Sequence, residues 1–300
     1  MGSLRAWMSG AAVAATAVVT VAAAAPSAGA TTVLRPEVTH GIAGWTSTGS
    51  YSEFTPTADE GVTTVSPAGK SASELYRGFA SIPLSVLAQG WTHIGDPDSA
   101  SGYIVDAYQG SSSGNTKMYR VTTPGGSSYE YTHTLVSGEL YNNSFATVTP
   151  NAQWMVSGEW GTMTHLQIYP APYLNSSTSK TGGTLNLSGY IQLDHAVNDI
   201  QGCDFVTATE LICSSDDSSQ TLFSNTKPLL EVQLAVPLTG GTVSGHVVDL
   251  GSIPQTSICS GTFEAEGADY DAATGVLRVE IIPPGLCGDA TTTVYEYKAS

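Results

Sequence analysis

The 300-residue sequence has little positive charge. It contains 10 Lys and Arg against 26 Asp and Glu, a formal net charge of -16, and only 12% of its residues are charged. An acidic surface repels nucleic-acid phosphate, so we expect no nucleic-acid partner. Thr, Ser, Gly and Tyr fill many polar positions. This composition is typical of an exposed β surface rather than of a disordered acidic tail.

Signature motifs of catalysis are also missing. The sequence has no nucleophile elbow, no zinc-binding His-Glu-x-x-His and no phosphate loop, and its 6 histidines are scattered. The motifs therefore predict no reaction.

Long apolar runs are missing after the first thirty residues. That N-terminal stretch has one charge, Arg5, an apolar run over residues 11–25 and a small-residue ending, Ala28-Gly29-Ala30. The run is short and Ala-rich for a membrane span, so it predicts a secretory signal peptide over residues 1–30, cleaved after Ala30. A retained anchor is the alternative. We expect residues 31–300 to form one secreted domain without a membrane span.

Cysteine is scarce, and its four positions form two local pairs. An even count in an exported chain favours disulfides, although four cysteines allow three connectivities. Cys203 and Cys213 lie equally far from Ala208, so a hairpin turning there would place them opposite each other. Elimination then pairs Cys259 with Cys287. A four-thiolate metal site is the alternative, disfavoured because Cys-x-x-Cys spacing is absent.

A gap-free repeat occupies the C-terminal part of the sequence. Residues 199–212 align with residues 264–277, matching Gly202 with Gly267 and Asp204-Phe205 with Asp269-Tyr270. Each copy predicts a strand, a turn and a second strand. Self-similarity of long period in a strand-rich chain is typical of blades arranged around an axis.

Strand-like segments form four units along the chain. The units lie near residues 93–133, 143–193, 199–250 and 263–297, and the last is one strand short. A ring must not leave exposed strand edges, so we predict that a strand from residues 33–84 completes it. Segments 61–65 and 75–79 are strand-like and suffice for that strand and most of another blade. We therefore predict an all-β propeller of five four-stranded blades; six blades or a β-sandwich are the alternatives.

A polar quartet follows from extending the glycine alignment to Gly95 and Ala146. Three residues before each aligned position stand Thr92, Asn143, Asp199 and Glu264. Innermost strands of a propeller line its channel, so these side chains are expected to converge there.

The quartet predicts a cation site at the channel. Amide and carboxylate oxygens suit calcium or another divalent cation, so Asn143, Asp199 and Glu264 are the candidate metal ligands. Residues two apart on a strand share a face, which adds Gln201 and Glu266; with Thr92, we assign them to ligand binding. A wet channel in which these groups bind only water is the alternative.

Other acidic and aromatic residues have simpler interpretations. Asp96-Pro97-Asp98 and Asp216-Asp217 are typical of turns, and the recurrent Asp204 and Asp269 indicate a structural hydrogen bond within each hairpin. Large aromatic residues are expected in blade packing, with a carbohydrate-stacking face as the alternative. They are Trp91, Tyr103, Tyr108, Trp154 and Trp160.

Three segments carry a family resemblance. Residues 91–98, 199–203 and 264–271 resemble secreted bacterial β-propeller proteins, of actinobacterial type. More distantly, Glu266-Gly267 before Asp269 is similar to esterase-like and lactonase-like propellers. That resemblance implies a channel cation that polarises an ester or phosphoester while a carboxylate moves the proton. Thr92 departs from the pattern, because a hydroxyl is a poor ligand.

Three functions remain open on this basis. The first is binding of an extracellular small molecule or carbohydrate at the channel face. The others are a metal-dependent hydrolase of esters, lactones or phosphodiesters, and a protein-interaction module. We expect a monomer. Fold alone does not choose among them, because one fold hosts many functions.

Overall fold

Strands make up nearly all the regular structure that the computed structural model describes, residues 41–300. These residues belong to one compact unit. The one α-helix they contain, α1, is Leu84–Leu87. The strands are β1 (Trp45–Phe54), β2 (Gly61–Val65), β3 (Ser73–Arg77), β4 (His93–Ile94), β5 (Asp98–Ala100), β6 (Tyr103–Gln109), β7 (Thr116–Thr122), β8 (Ser128–Thr134), β9 (Phe145–Val148), β10 (Trp154–Gly158), β11 (Thr162–Pro170), β12 (Gly183–Thr184), β13 (Gly189–Asn198), β14 (Ile200–Thr207), β15 (Glu210–Ser215), β16 (Pro228–Leu234), β17 (Val243–Ser252), β18 (Glu264–Asp271), β19 (Val276–Ile282) and β20 (Thr291–Ala299). The predicted signal peptide lies outside the described residues.

Antiparallel neighbours define four sheets that match the four predicted units. Sheet 1 contains β4 to β8, sheet 2 contains β9, β10, β11 and β13, sheet 3 contains β14 to β17, and sheet 4 contains β18, β19, β20 and β1. The outermost strands of sheets 2 and 3, β13 and β17, also pair in parallel over three residues. β12 adds to β8 in parallel.

An N-terminal strand completes sheet 4, as predicted, but it is not one of the two segments singled out from the sequence. β1 pairs antiparallel with β20, from Trp45 opposite Ala299 to Phe54 opposite Thr291. The two expected segments pair instead with each other as β2 and β3. β1 was hard to see because it is rich in Ser and Thr and largely exposed at a sheet edge.

Five strands, which we call the first strands, form a closed ring. β2, β5, β9, β14 and β18 each contact the next, and β18 contacts β2. Hydrogen bonds link these neighbours; for example, the Tyr270 amide in β18 donates to Asp204 in β14. We call the end of the ring at which these strands begin the mouth.

The hydrophobic core lies between adjacent sheets. Sheets 1 and 2 bury Tyr119, Met155 and Tyr169 against each other, and sheets 3 and 4 do the same with Leu229 and Leu277. Each fully buried side chain of this size contributes about 1.5–3 kcal/mol to stability. Packing between sheets thus holds the ring together from outside.

Both predicted disulfides are present. Cys203 and Cys213 occupy directly opposite positions on β14 and β15. Cys259, before β18, bonds Cys287, in the short turn before β20. Within residues 41–300 no helix has the length and apolarity needed to cross a membrane.

Candidate functional site

A single carboxylate, that of Asp96, occupies the centre of the ring. Its side chain is fully buried; Oδ1 accepts a hydrogen bond from the Val62 amide (3.0 Å) and Oδ2 from the Ala268 amide (3.3 Å). One residue of sheet 1 therefore connects β2 and β18. Asp96 was predicted to be a turn residue, and that prediction is wrong, because its partners lie in distant strands.

The recurrent glycines make room for this carboxylate. A Cβ atom on Gly202 would lie 2.4 Å from Asp96 Oδ2 and 2.7 Å from Gly267 Cα. A Cβ atom on Gly267 would lie 2.4 Å from Asp96 Oδ1 and 2.5 Å from Gly61 Cα. The repeat therefore marks positions where only glycine permits the backbones to approach.

Three more buried aspartates join neighbouring first strands. Each accepts a backbone hydrogen bond from another first strand: Asp98 from Val148 (2.5 Å), Asp204 from Tyr270 (2.7 Å) and Asp269 from Thr64 (2.8 Å). Asp98 begins β5 and is not a turn residue. Asp204 and Asp269 are structural, as predicted, but they bind across sheets rather than only within a hairpin.

Burial changes the acidity of these aspartates. It raises the pKa of Asp98 to about 7 and the pKa of Asp204 well above its usual range. Burial also raises the pKa of Asp269, although Thr64 and Arg278 donate hydrogen bonds that lower it. Repulsion among the three carboxylates adds to the effect. The interior of the ring thus favours protonated carboxyl groups.

Four glutamates gather at the mouth, and we call them the acidic mouth: Glu60, Glu264, Glu266 and Glu280. Burial raises the pKa of Glu60 and Glu266 well above the usual range, and repulsion from the other carboxylates raises it further. Glu264 is half-buried at the start of β18. Burial and mutual repulsion therefore favour the protonated forms of Glu60 and Glu266, and no member of the cluster has a Lys or Arg partner among residues 41–300.

Glu280 is the most enclosed member of the acidic mouth. It is fully buried, and neither carboxylate oxygen has a hydrogen-bond partner of normal geometry, although the Gly267 amide lowers its pKa somewhat. Burial nevertheless raises its pKa well above the usual range. Its charge raises the pKa of Glu60 and Glu266, so it lies within electrostatic reach of both.

Aromatic rings stand beside the acidic mouth. His93 Nε2 lies 3.2 Å from Glu60 Oε2, and burial lowers the pKa of His93 to about 4. The centroid of the His93 ring is 6.3 Å from that of Trp160, and Tyr141 meets Trp160 edge-on at the same centroid distance. Both Trp160 and Tyr141 are half-buried, so part of each ring faces solvent.

Asp216 connects sheet 3 to sheet 4 next to the mouth. Its Oδ1 accepts hydrogen bonds from the Ala265 amide (2.6 Å) and from Lys227 Nζ (2.5 Å). Burial raises the pKa of Asp216 to about 6, although Lys227 lowers it. As predicted, Asp216 follows a strand and lies in a connection, but its side chain also joins two sheets.

The structure brings together only part of the predicted site. Glu264 and Glu266 are neighbours in the acidic mouth, Thr92 is exposed, and Gln201 is half-buried on β14. Asp199, just before β14, accepts a hydrogen bond from the Asn198 side chain (2.8 Å).

Asn143 lies inside the packing of two sheets. Its side chain is fully buried, its Oδ1 accepts a hydrogen bond from Ser157 (2.8 Å), and its Nδ2 donates to the carbonyl oxygens of Tyr108 and Met118. In residues 41–300 no three His, Cys, Asp or Glu side chains are placed to hold one metal ion. These positions do not form a preorganised calcium site. Calcium at Asn143, Asp199 and Glu264 stays a prediction.

Sequence reasoning missed Glu60 and Glu280. Gly61 aligns with Gly202 and Gly267 as a further central glycine, which puts Glu60 in the position of Gln201 and Glu266. Glu280 interrupts the apolar strand β19, and an isolated acid in such a strand is itself a signal.

Most aromatic residues considered for carbohydrate stacking serve packing. Tyr108 is buried, Trp154 packs against the core between sheets 2 and 3, and Tyr103 lies 5.5 Å from Tyr173. Trp91 packs beside Ile94 and Tyr108.

No family model and no curated protein matches the chain. Two solved structures of β-propeller proteins are similar to it at low identity. The major allergen Mala s 1 of Malassezia sympodialis is 7% identical with a TM-score of 0.42; the match covers 77% of this chain and 62% of that chain. The native arabinanase Arb43A of Bacillus subtilis is 11% identical with a TM-score of 0.43, over 83% of this chain and 96% of that chain. Scores this low support no conclusion about activity.

Proposed function

We propose that the protein is a secreted five-bladed β-propeller that binds a cationic group of an extracellular ligand at the acidic mouth. The closed ring of five first strands supports the propeller, with β2 and β3 as a small fifth blade. The apolar N-terminal sequence and the two disulfides support export.

The absence of a Lys or Arg partner at the acidic mouth, among residues 41–300, carries this proposal. Among residues 41–300, no Lys or Arg forms a salt bridge with Glu60, Glu264, Glu266 or Glu280. Lys227 pairs with Asp216, and Arg278 pairs with Asp269, Glu74 and Glu296. Buried carboxylates without a counter-charge are costly, so a bound cation would relieve repulsion that the fold leaves in place. The unpartnered oxygens of Glu280 would gain a donor.

Neighbouring rings favour an organic cation. Trp160 and Tyr141 present partly exposed rings beside His93 and Glu60. An ammonium or guanidinium group gains attraction from an aromatic face as well as from carboxylates. Carboxylates beside aromatic rings therefore suit an amine better than a simple metal ion.

Proton linkage gives this binding a direction with pH. The raised pKa values of Glu60, Glu266 and Glu280 mean that these groups hold protons at a pH where ordinary glutamates have lost them. A cation favours their ionised forms, so its binding releases protons and its affinity rises with pH.

A titration with n-butylammonium chloride tests the proposal. We expect a dissociation constant on the order of 1 mM, followed by tryptophan fluorescence, and tighter binding at about pH 8 than at about pH 5. Glu264→Gln removes one charge of the cluster and should weaken binding by roughly fivefold. Glu210→Gln, at the start of β15 and at the end of sheet 3 opposite the mouth, is the matched control. Absence of binding by the wild-type protein, or equal loss in both variants, would refute the proposal.

The same titration addresses the calcium prediction. If Ca²⁺ displaces butylammonium and stabilises the protein more strongly, the mouth is a metal site and the organic-cation assignment is wrong. The hydrolase and carbohydrate hypotheses stay predictions, because no contact at the acidic mouth favours either.

A further inference from the structure

Exposed large hydrophobic side chains are concentrated at one end of the molecule. The described residues contain eight: Phe54, Phe79, Leu84, Val136, Leu140, Val236, Ile258 and Leu286. Seven of the eight lie in, or directly border, connections of two kinds. One kind leads into a first strand, and the other joins the second strand of a sheet to its third. Those connections lie at the mouth end of the strands. Val236 lies in the connection from β16 to β17, at the opposite end.

Four of these side chains lie in connected segments, and we call them the apolar arc: Phe54, Phe79, Ile258 and Leu286. Phe54 and Phe79 are each 60% exposed, and Ile258 and Leu286 are more exposed still. The Cys259–Cys287 disulfide joins the segments that carry Ile258 and Leu286. The short turns Thr55–Thr57 and Phe79–Ser81 contact each other.

Hydrogen bonds tie the apolar arc to its neighbours and to the acidic mouth. The Thr55 amide donates to the Ala290 carbonyl, which connects the end of β1 to the loop of Leu286 (3.4 Å). The Phe79 amide donates to Asp59 Oδ1 (3.0 Å), and Asp59 directly precedes Glu60. The segments that carry the arc are therefore joined to one another and to the segment that carries Glu60, which gives the exposed side chains a fixed backbone.

We propose that the apolar arc and the acidic mouth together dock a polypeptide segment in which a Lys or Arg is flanked by apolar residues. The inference rests on the proposed function, because the mouth must first accept a cation. Charge complementarity selects the cation, and the apolar arc selects what surrounds it. The arc contains two aliphatic side chains and two phenylalanines, which suit apolar side chains better than the hydroxyls of a sugar. The net charge of -16 opposes docking on an anionic lipid surface.

Two probes separate this inference from the proposed function. The first is n-butylammonium, which reports the mouth alone. The second is a soluble synthetic peptide of about 12 residues with one central lysine flanked by leucines and phenylalanines spaced by serines, a length that spans such a face when extended. A matched peptide carries glutamine in place of the lysine. We expect the lysine peptide to bind at least about tenfold more tightly than butylammonium and the glutamine peptide to lose most of that affinity.

Variants of the apolar arc complete the experiment. The double variant Ile258→Ser and Leu286→Ser keeps the disulfide and changes only exposed side chains, so folding is checked simply by its melting temperature. We expect it to lower the ratio of peptide affinity to butylammonium affinity by about tenfold. Val236→Ser, an exposed apolar residue at the opposite end, should leave that ratio unchanged.

Each other outcome has a definite meaning. If butylammonium binds but the lysine peptide binds no more tightly, or the double variant leaves the ratio unchanged, the docking inference fails while the proposed function survives. If neither probe binds, the proposed function fails as well. If the wild-type protein dimerises and the double variant is monomeric in sedimentation, the arc is covered by a second copy and the inference is overturned.

Discussion

Single residues at the centre of the ring set how closely its strands approach. Gly202 and Gly267 meet the Asp96 carboxylate and each other at distances that leave no room for a side chain. Asp96 in turn accepts hydrogen bonds from two strands that are far from it in the sequence. Each of these residues is therefore required by the others.

Gly202→Ala tests this requirement. The added methyl group would lie 2.4 Å from Asp96 Oδ2, so the strands must separate, and we expect a loss of about 1–3 kcal/mol in the free energy of unfolding. Urea unfolding followed by circular dichroism measures it. Gly49→Ala is the control, because a Cβ atom there meets nothing within 4 Å. Equal stability of the two variants would contradict the packing explanation.

Local sequence signals explain which of these residues could be predicted. The recurrence of Gly202 and Gly267 was visible because it is a pattern within the sequence. The role of Asp96 was not, because Asp-Pro-Asp is a typical turn sequence and its Ala268 partner is 172 residues away. For Asn143 the alignment identified a polar position but not its role. Its amide forms hydrogen bonds between sheets 1 and 2, which an alignment does not reveal.

Among the strands, β1 has the pairing partner that is most distant along the sequence. It pairs with β20 along nearly its whole length, with Trp45 opposite Ala299. The incomplete strand count of the fourth unit predicted such a partner, yet the Ser- and Thr-rich sequence of β1 did not identify it. Counting strands shows that a further strand is needed. Strand propensity does not identify it, because that propensity depends on burial, which cannot be read from the sequence.

A circular permutant tests the role of β1. Its start and the end of β20 are adjacent and antiparallel, so a flexible Gly- and Ser-containing linker can join Ser300 to Gly41, which keeps the buried Ile42, while a new N-terminus opens at Thr57. We expect this permutant to melt within a few degrees of the wild-type protein. Deleting residues 41–54 instead exposes the β20 edge and should abolish cooperative melting. A stable deletion variant would show that closure by β1 is dispensable.

Several carboxyl groups of the molecule are buried, and their burial makes stability depend on pH. Its buried carboxyl groups are easier to accommodate when protonated, and Asp98 illustrates this with a pKa raised to about 7 by burial. Asp204 and Asp269 repel it, and Arg278 neutralises only Asp269 among them. A pKa raised in the folded state stabilises the fold at acidic pH, and that contribution is lost as pH rises through the folded value.

We therefore expect the melting temperature to fall as pH rises from about 5 to about 8, the window given by the raised pKa of Asp98. Asp98→Asn keeps an acceptor for the Val148 amide and cannot ionise, so it should flatten this fall by several degrees. Calorimetry across the pH range measures both proteins. Asp249→Asn, which replaces a carboxylate whose partners, Asn225 and the Gly251 amide, do not titrate, should leave the slope in this window unchanged. A melting temperature that rises over the window would contradict the prediction.

The pairing of β1 with β20 also orders events during synthesis. Among the described strands, β1 is made first and its pairing partner β20 last, so the backbone of β1 stays unpaired until β20 has been made. An apolar strand in that position would invite association with other unfinished chains. The hydroxyl-rich and largely exposed composition of β1 makes such association less favourable, so the weak strand signal of β1 suits an edge that stays unpaired until β20 is made.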